Sequence, residues 1–396
     1  MDLRSRNPER PERGLLADCA LLARRFARRP EGLPLEPDSF RSGDPLLLAY
    51  WPLARTNNFQ GLLYSQGTHH GVAPLAVPSF EDMAELPWAG PAACHFHWLA
   101  SLDDAASIER FETVLKRLKD QRRSIIWTVH NVLPHDQADL ENAIRVRRAI
   151  VEAADLIHIM NEQTPQLVAP YFSLDGKRLF YSPHPSYLGD QPATVSRADA
   201  RFALGLSQET TVFLCFGAIQ PYKGLENLIA AAETLALARP ELDWTLVVAG
   251  LSKDQDLVDR IQRSTTLSRR LVFHPRRVPM EDVQLYFGAA DYAVCAYRTS
   301  LNSGAAMLAM TFGVPLVAPM NAAFGDLLAR GTGVGYPDEP GALAAALARA
   351  VESDPSEMRA RALQVADERA PEKASDTFFE RLTAGLQTGG TPIEVA

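Results

Sequence analysis

Ser303 and Gly304 stand where a polar loop, Arg298 to Asn302, gives way to Ala305-Ala306-Met307-Leu308-Ala309-Met310, a run of good helix formers. A Ser-Gly pair at a helix start leaves backbone N–H groups pointing outward. No side chain at Gly304 blocks an anion there, which suits half of a diphosphate site. The plain alternative is that Ser303 is only an N-cap and Gly304 only a close-packing residue. A second set of chemically capable residues is rich in histidine. It comprises His95 and His97 within Ala92 to Trp98, the run His130-Asn131-Val132-Leu133-Pro134-His135-Asp136, and His184 within Tyr181 to Tyr187. Imidazole and carboxylate groups of this kind suit acceptor binding and proton transfer. For His95 and His97 the alternative is a core histidine with satisfied ring nitrogens; for Asp136 it is an N-cap of the helix from Leu140 or a solvated loop position.

The elements that must position these residues alternate. Leu46 to Tyr50, Gly71 to Val77, Ala92 to Trp98, Ser124 to Val129 and Leu156 to Met160 read as strands, with helices at Phe59 to Ser65, Ile108 to Arg123 and Leu140 to Ala153. A polar stretch from Leu188 to Ala198 reads as a linker, so the domains are 42–187 and 199–370, preceded by an arm, 1–41, and followed by a C-terminal helix and tail, 371–396. The second series has strands at Thr211 to Phe216, Trp244 to Ala249, Leu271 to Phe273, Tyr292 to Ala296 and Val314 to Ala318. Alternation of this kind predicts an α/β fold of right-handed β-α-β units, with ligands at the carboxyl ends of parallel strands. His95 to Trp98 and His130 to Asp136 fall at such ends.

The 396 residues suffice for two domains, and a net charge of −8 argues against a nucleic-acid binder. Local basic faces exist within this acidic average. Arg4, Arg6, Arg10, Arg13, Arg24, Arg25, Arg28 and Arg29 crowd the arm, where Leu15, Leu16, Cys19, Leu22 and Phe26 recur at helical spacing. Lys116, Arg117, Lys119, Arg122 and Arg123 give the helix after Ile108 a basic side, either a solvated face or a seat for an anionic membrane surface. Cys19, Cys94, Cys215 and Cys295 form no CxxC pair and read as reduced core residues, and no apolar run approaches a membrane span. The expectation is a cytoplasmic protein held peripherally on the inner face of the cell membrane.

Phe216-Gly217-Ala218-Ile219-Gln220-Pro221-Tyr222-Lys223-Gly224 resembles the second-domain glycine loop of GT-B glycosyltransferases, and the stretch Tyr297 to Pro319 resembles that family's second landmark. The resemblance implies two Rossmann-like domains facing each other across a cleft, with a nucleotide-sugar donor between them. It implies a donor diphosphate site of Gly217, Lys223, Gly224, Arg298, Asn302, Ser303 and Gly304, with Lys223 as the diphosphate-binding lysine. Read without the family, Lys223 is a surface lysine. The nucleotide base falls at Arg276 and Val278, and Glu281 is either a ribose contact or a first-turn helix acid. Ala218 stands where the large retaining group has arginine, and Ser300 and Leu308 stand where it has two glutamates. The likeness therefore moves toward inverting enzymes of the xanthan-type β-mannosyltransferase group, which share a His-Asn-x-x-Pro-His segment, a Tyr-Lys-Gly loop and an Asn-Ser-Gly helix start.

Glycosyl transfer needs charge neutralised on the leaving diphosphate, a base near the acceptor hydroxyl, and a site closed to water. The expected reaction moves a sugar, with GDP-mannose as the expected donor, to a lipid-linked or polysaccharide glycan acceptor with inversion. Asp136, His135 and His130 are the candidate bases, Asp136 first, with His130 first a sugar contact. Asn57, His97, Asn131 and His184 are placed with the acceptor or sugar. No metal or other cofactor is expected, because no aspartate cluster of metal-ligand type is apparent. A retaining enzyme and a catalytically silent sugar-nucleotide-binding subunit of a polysaccharide assembly complex are the competing readings.

Overall fold

The computed structural model describes residues 45–54, 58–88, 90–133, 139–252, 254–297 and 300–387. The arm 1–41, Asn57, His135, Asp136 and Arg298 lie outside the described residues. The chain divides into two compact units: residues up to Pro183 together with Ser375 onward, and His184 to Ala374.

The first unit holds a six-stranded sheet of β1 (Leu46–Trp51), β2 (Val72–Ala76), β3 (Ala92–Phe96), β4 (Ser124–Thr128), β5 (Leu156–Ile159) and β6 (Leu179–Tyr181). Its order is β2-β1-β3-β4-β5-β6, and every pairing is parallel. Parallel strands are covered on both faces, which is why β4 and β5 are almost continuous apolar runs. The covering helices include α1 (Phe59–Leu63), α2 (Ala105–Asp120) and α3 (Leu140–Ala153). Asp104 caps α2 by accepting from Ser107 N at 2.8 Å. Asp139, not Asp136, caps α3, accepting from Asn142 N at 3.0 Å, so the N-cap alternative for Asp136 falls away.

The second unit repeats the plan. Its strands are β7 (Thr211–Phe216), β8 (Trp244–Ala249), β9 (Leu271–His274), β10 (Tyr292–Val294), β11 (Leu316–Pro319) and β12 (Gly333–Tyr336), in the order β12-β11-β10-β7-β8-β9, again all parallel. The chain runs outward from β7 through β8 to β9, then returns to the other side of β7 as β10. The reversal opens a crevice at the carboxyl ends of β7 and β10, the standard ligand position in such sheets.

The polar stretch 188–198 belongs to this second unit. Thr194 N and Val195 N both donate to Gln284 Oε1, at 2.9 and 3.2 Å, and Ser196 caps the helix α4 (Arg197–Ala203). The hydrogen bonds of Ser186 N to Arg369 O and of Tyr187 N to Thr311 Oγ1 carry the boundary back to Pro183. At the other end, Phe378, Phe379 and Leu382 of the last helix, Pro371–Gln387, join the core formed by Leu48, Phe59, Leu63, Ile126 and Phe180. That shared core places the C-terminal helix in the first unit. Cys94, Cys215 and Cys295 are buried and free. No helix among the described residues is long and apolar enough to cross a membrane.

Candidate active site

Gly217, Lys223, Gly224, Asn302, Ser303 and Gly304, the described residues expected on the donor side, gather at the switch point of the second sheet. Gly217 follows β7, and the loop ends in a short 3-10 turn, Pro221–Lys223, from which Gly224 starts the helix α5 (Leu225–Ala238). The loops after β7 and β10 touch at Gly224: a Cβ there would lie 2.3 Å from Ala296 O, and its φ is +67°. A Cβ at Gly217 would lie 2.8 Å from Lys223 Nζ, so the missing side chain leaves room for the ammonium. Lys223 Nζ is 5.7 Å from the centroid of the Tyr297 ring. Burial pulls Lys223 below its ordinary pKa, partly offset by the thiols of Cys215 and Cys295. Among the described residues its Nζ has neither a carboxylate nor any other hydrogen-bond partner.

Across the same crevice the helix α6 (Gly304–Thr311) begins at Ser303, whose Oγ accepts from Ala306 N at 3.2 Å. The cap consumes one of the first-turn donors and leaves others for a ligand. A Cβ at Gly304 would meet Tyr187 Oη at 3.1 Å, so the first turn is narrow as well as bare. Asn302 Nδ2 is buried without a hydrogen-bond partner among the described residues, while Asn302 O accepts from Ser300 Oγ at 2.6 Å. A half-buried ammonium and a buried amide, both unpaired, therefore flank a helix start. Unpaired buried donors are costly unless an acceptor fills the site.

Arg276, Val278 and Glu281 follow β9, two strands from β7, and Arg276 and Glu281 are exposed. Arg276 N donates to His274 O at 2.8 Å, and His274 Nδ1 is 2.9 Å from Tyr286 Oη. Glu281 sits in the 3-10 turn Met280–Asp282. His184 opens the second unit, where burial, partly offset by its contact with Pro185 O at 2.8 Å, lowers its pKa to about 4.

In the first unit, His97 and His130 are brought together, with His97 Nδ1 3.0 Å from His130 Nε2. Trp98 stacks on His130 at 4.1 Å and 20°, and Phe59 packs edge-on at 5.1 Å. A cavity of about 20 Å³ is lined by His97, Trp98, Trp127, His130, Asn131 and Arg147. Among the described residues the buried Arg147 donates to two carbonyls, Val132 O at 3.0 Å and Ala143 O at 2.9 Å; burial lowers its pKa to about 10. A larger groove of about 1120 Å³ runs between α2 and α3, but it holds none of the predicted site residues. On α2 and just beyond, Arg117 pairs with Glu85, Lys119 with Asp155, and Arg123 donates to the carbonyls of Met83 and Leu86. Much of the basic side is thus already neutralised or satisfied.

Residues 210–353 match the model for glycosyl transferases group 1. That segment contains the Gly217–Gly224 loop, Asn302, Ser303 and Gly304. A D-inositol 3-phosphate glycosyltransferase of Rhodococcus jostii is 27% identical over 250 residues, covering 61% of this chain and 53% of the relative. The chain thus spans about half the length of that curated relative. Among solved structures, sucrose-phosphate synthase from Thermosynechococcus elongatus aligns with a TM-score of 0.62 at 18% identity, over 87% of this chain and 97% of that one. HepE from Anabaena, in complex with UDP, aligns with a TM-score of 0.61 at 16% identity, over 86% and 100%. The fold is GT-B.

Tyr64, Thr128, His158 and Ser182, all buried and all tied to the histidine pair, escaped the sequence reading. Their signal was there. Thr128 and His158 are polar residues inside otherwise apolar strand runs, Ile-Ile-Trp-Thr-Val and Leu-Ile-His-Ile-Met, where a buried polar group must find a partner.

Proposed function

We propose that this protein is a glycosyltransferase that takes a sugar from a nucleoside diphosphate donor and passes it to a hydroxyl of a lipid-linked or polysaccharide glycan. The observation that carries this reading is the pair of unpaired donors, Lys223 Nζ and Asn302 Nδ2, beside the start of α6 at the switch point. Positive charge and backbone N–H groups there would stabilise the leaving diphosphate. The group 1 match over this segment supports the same chemistry, and the UDP-bound neighbour supports a nucleotide ligand. Charge neutralisation by Lys223 and the helix start requires no metal, so chelation by EDTA is expected to leave turnover unchanged.

The donor sugar, stereochemistry and acceptor belong to the same proposal. GDP-mannose is the first donor, on the Tyr-Lys-Gly loop and Asn-Ser-Gly helix start. Inversion rests on Ser300 and Leu308, neither of which can supply a carboxylate to the sugar. Asp136, on the acceptor side of the chemistry, is the proposed base, with His130 holding the sugar. Incubating the protein with GDP-mannose and with UDP-sugars, and following nucleoside diphosphate release and the anomeric signals of the product by NMR, tests each part. Release with an inverted product is expected; retention would remove the inverting mechanism, and no release from any donor would favour a silent binding subunit. Asp136→Asn is expected to abolish turnover while donor binding persists, and near-normal turnover would remove Asp136 as base. The basic arm is proposed to meet an anionic inner-membrane surface. Co-sedimentation with anionic but not zwitterionic vesicles is expected, and equal recovery from both would contradict it.

A further inference from the structure

The helix α3 carries two arginines with opposite surroundings. Arg145 is partly exposed and forms a fork with Glu112, Nε to Oε1 at 2.9 Å and Nη2 to Oε2 at 2.6 Å. Arg147 is only 4% exposed and belongs to the buried side of α3 with Ala143, Val146 and Ile150. An apolar residue at this position would complete the stripe that faces the core. What Arg147 lacks is a counter-charge. Its Nε donates to Val132 O at 3.0 Å and its Nη1 to Ala143 O at 2.9 Å. Carbonyls satisfy N–H groups but leave the positive charge of the guanidinium whole. Nη2 has no acceptor among the described residues, and no carboxylate among them pairs with the guanidinium. Burial pulls its pKa down to about 10, with no opposing charge among the described residues to pull it back. A buried charge in this condition is unfavourable until an anion reaches it.

The cavity gives the anion its place. Arg147 lines the space of about 20 Å³ together with Leu99 and Ala100, which follow β3, and Asn131, which follows β4. That volume takes one water-sized group, so a single oxygen of a substituent fits there and a sugar ring does not. The Asn131 side chain has no hydrogen-bond partner among the described residues either, and its amide is a second donor lining the same space. Leu99 and the buried Trp127 give the cavity an apolar wall, where a charge pair is stronger than in water. A hydroxyl could accept from these donors but would leave the charge uncompensated. A carboxylate or phosphate oxygen does both.

We propose that Arg147, with Asn131, anchors an oxyanion, a carboxylate or phosphate carried by the acceptor glycan. The acceptor class is then an acidic glycan, and a neutral one is disfavoured because it leaves the buried guanidinium unpaired. The step from anion to acceptor rests on the reading of the first unit as the acceptor side. Binding of the anion at Arg147 does not, so the two can fail separately.

The test is a 1H–15N titration of the full chain labelled with 13C and 15N, with the Arg147 Nε–H signal assigned through its own backbone. Glucuronate, glucose 6-phosphate and glucose are added in turn at matched ionic strength. The Arg147 signal is expected to move with one or both acidic sugars and to stay in place with glucose, and the acid that moves it tells carboxylate from phosphate. Indifference to both acids, or an equal response to glucose, would overturn the proposal whatever the protein's activity. A counter-charge supplied by the chain itself would give the first of these results. Arg147→Met, compared in urea without added sugars, is expected to unfold at or above the native midpoint, because it removes an unpaired buried charge. A fall as large as that of Asp291→Ala, which breaks the buried pair with Arg201, would show the charge already compensated within the fold and would also overturn it. If Arg147→Met does not fold, the titration of the native chain decides.

Discussion

Gly224 shows how much of the proposed donor site depends on one missing atom. It sits in the left-handed region, and a methyl group would lie 2.3 Å from the Ala296 carbonyl, a backbone atom that cannot step aside cheaply. Gly224→Ala is expected to cost about 2 kcal/mol or more, combining strained backbone with displacement of the loop after β10. Urea denaturation measures this, and an unchanged midpoint would show that the two loops are not held together as described. Lys223 and Asn302 are the other side of the same economy. The Lys223 ammonium and the Asn302 amide nitrogen have each lost contact with water without gaining a partner among the described residues, which is tolerable at a site that an anion fills and expensive anywhere else. At this scale the sequence was legible where a residue type has a narrow use. Gly217, Lys223, Gly224 and the Ser303-Gly304 pair could be singled out in advance as a glycine loop and a helix start, and the structure brings them to one crevice. Tyr64 and Ser182 could not, because their partners are brought to them by strand register across the sheet.

At the scale of elements, the strands were readable because sheets covered on both faces demand uninterrupted apolar runs, and β1, β4, β7 and β8 comply. The helix starts were less so. Asp136 and Asp139 are both plausible caps by type, and only the backbone decides for Asp139. The attachment of α4 was hidden for a similar reason. Arg201 is buried within it and donates to Asp291 Oδ2 at 2.6 Å, while Asp291 also accepts from Arg197 at 2.7 Å, Arg359 at 3.1 Å and Val212 N at 2.8 Å. One carboxylate thus ties α4 and the helix Ser356–Glu368 to the start of β7. Asp291→Ala strands a buried guanidinium and is expected to destabilise the fold by about 3–5 kcal/mol. The exposed pair Arg263 and Asp259 should contribute under about 1 kcal/mol. Chemical denaturation of the two alanine variants, Asp291→Ala and Asp259→Ala, checks the contrast, and similar losses would refute it.

For the whole molecule, the buried histidines set an acid limit on stability. His95 and His97 are held well below their ordinary pKa first by burial, then by His158 in the case of His95 and by His95, His130 and His158 in the case of His97, and His184 is lowered to about 4. The unfolded chain binds protons at these sites below a pH of about 6.5, whereas the folded chain resists doing so. Their stabilisation is therefore present above about pH 6.5 and declines as pH falls toward the folded-state values. Urea midpoints should drop between pH 7 and pH 5, before the surface carboxylates with lowered pKa, such as Asp354 and Glu368, begin to titrate. A flat profile over that range would mean that the histidine cluster is solvated.

The central claim is that the second unit binds a nucleoside diphosphate at Lys223 and the start of α6. Thermal unfolding of the full chain and of Lys223→Gln, each with GDP, UDP, ADP and TDP, tests it most directly, since a ligand at about 100 times its Kd stabilises by about 2.7 kcal/mol. At least one nucleotide should raise the Tm of the native protein. Lys223→Gln should unfold at the native ligand-free Tm and respond little to any of the four. A native protein indifferent to all four nucleotides, or a variant that responds as strongly as the native chain, would contradict the account.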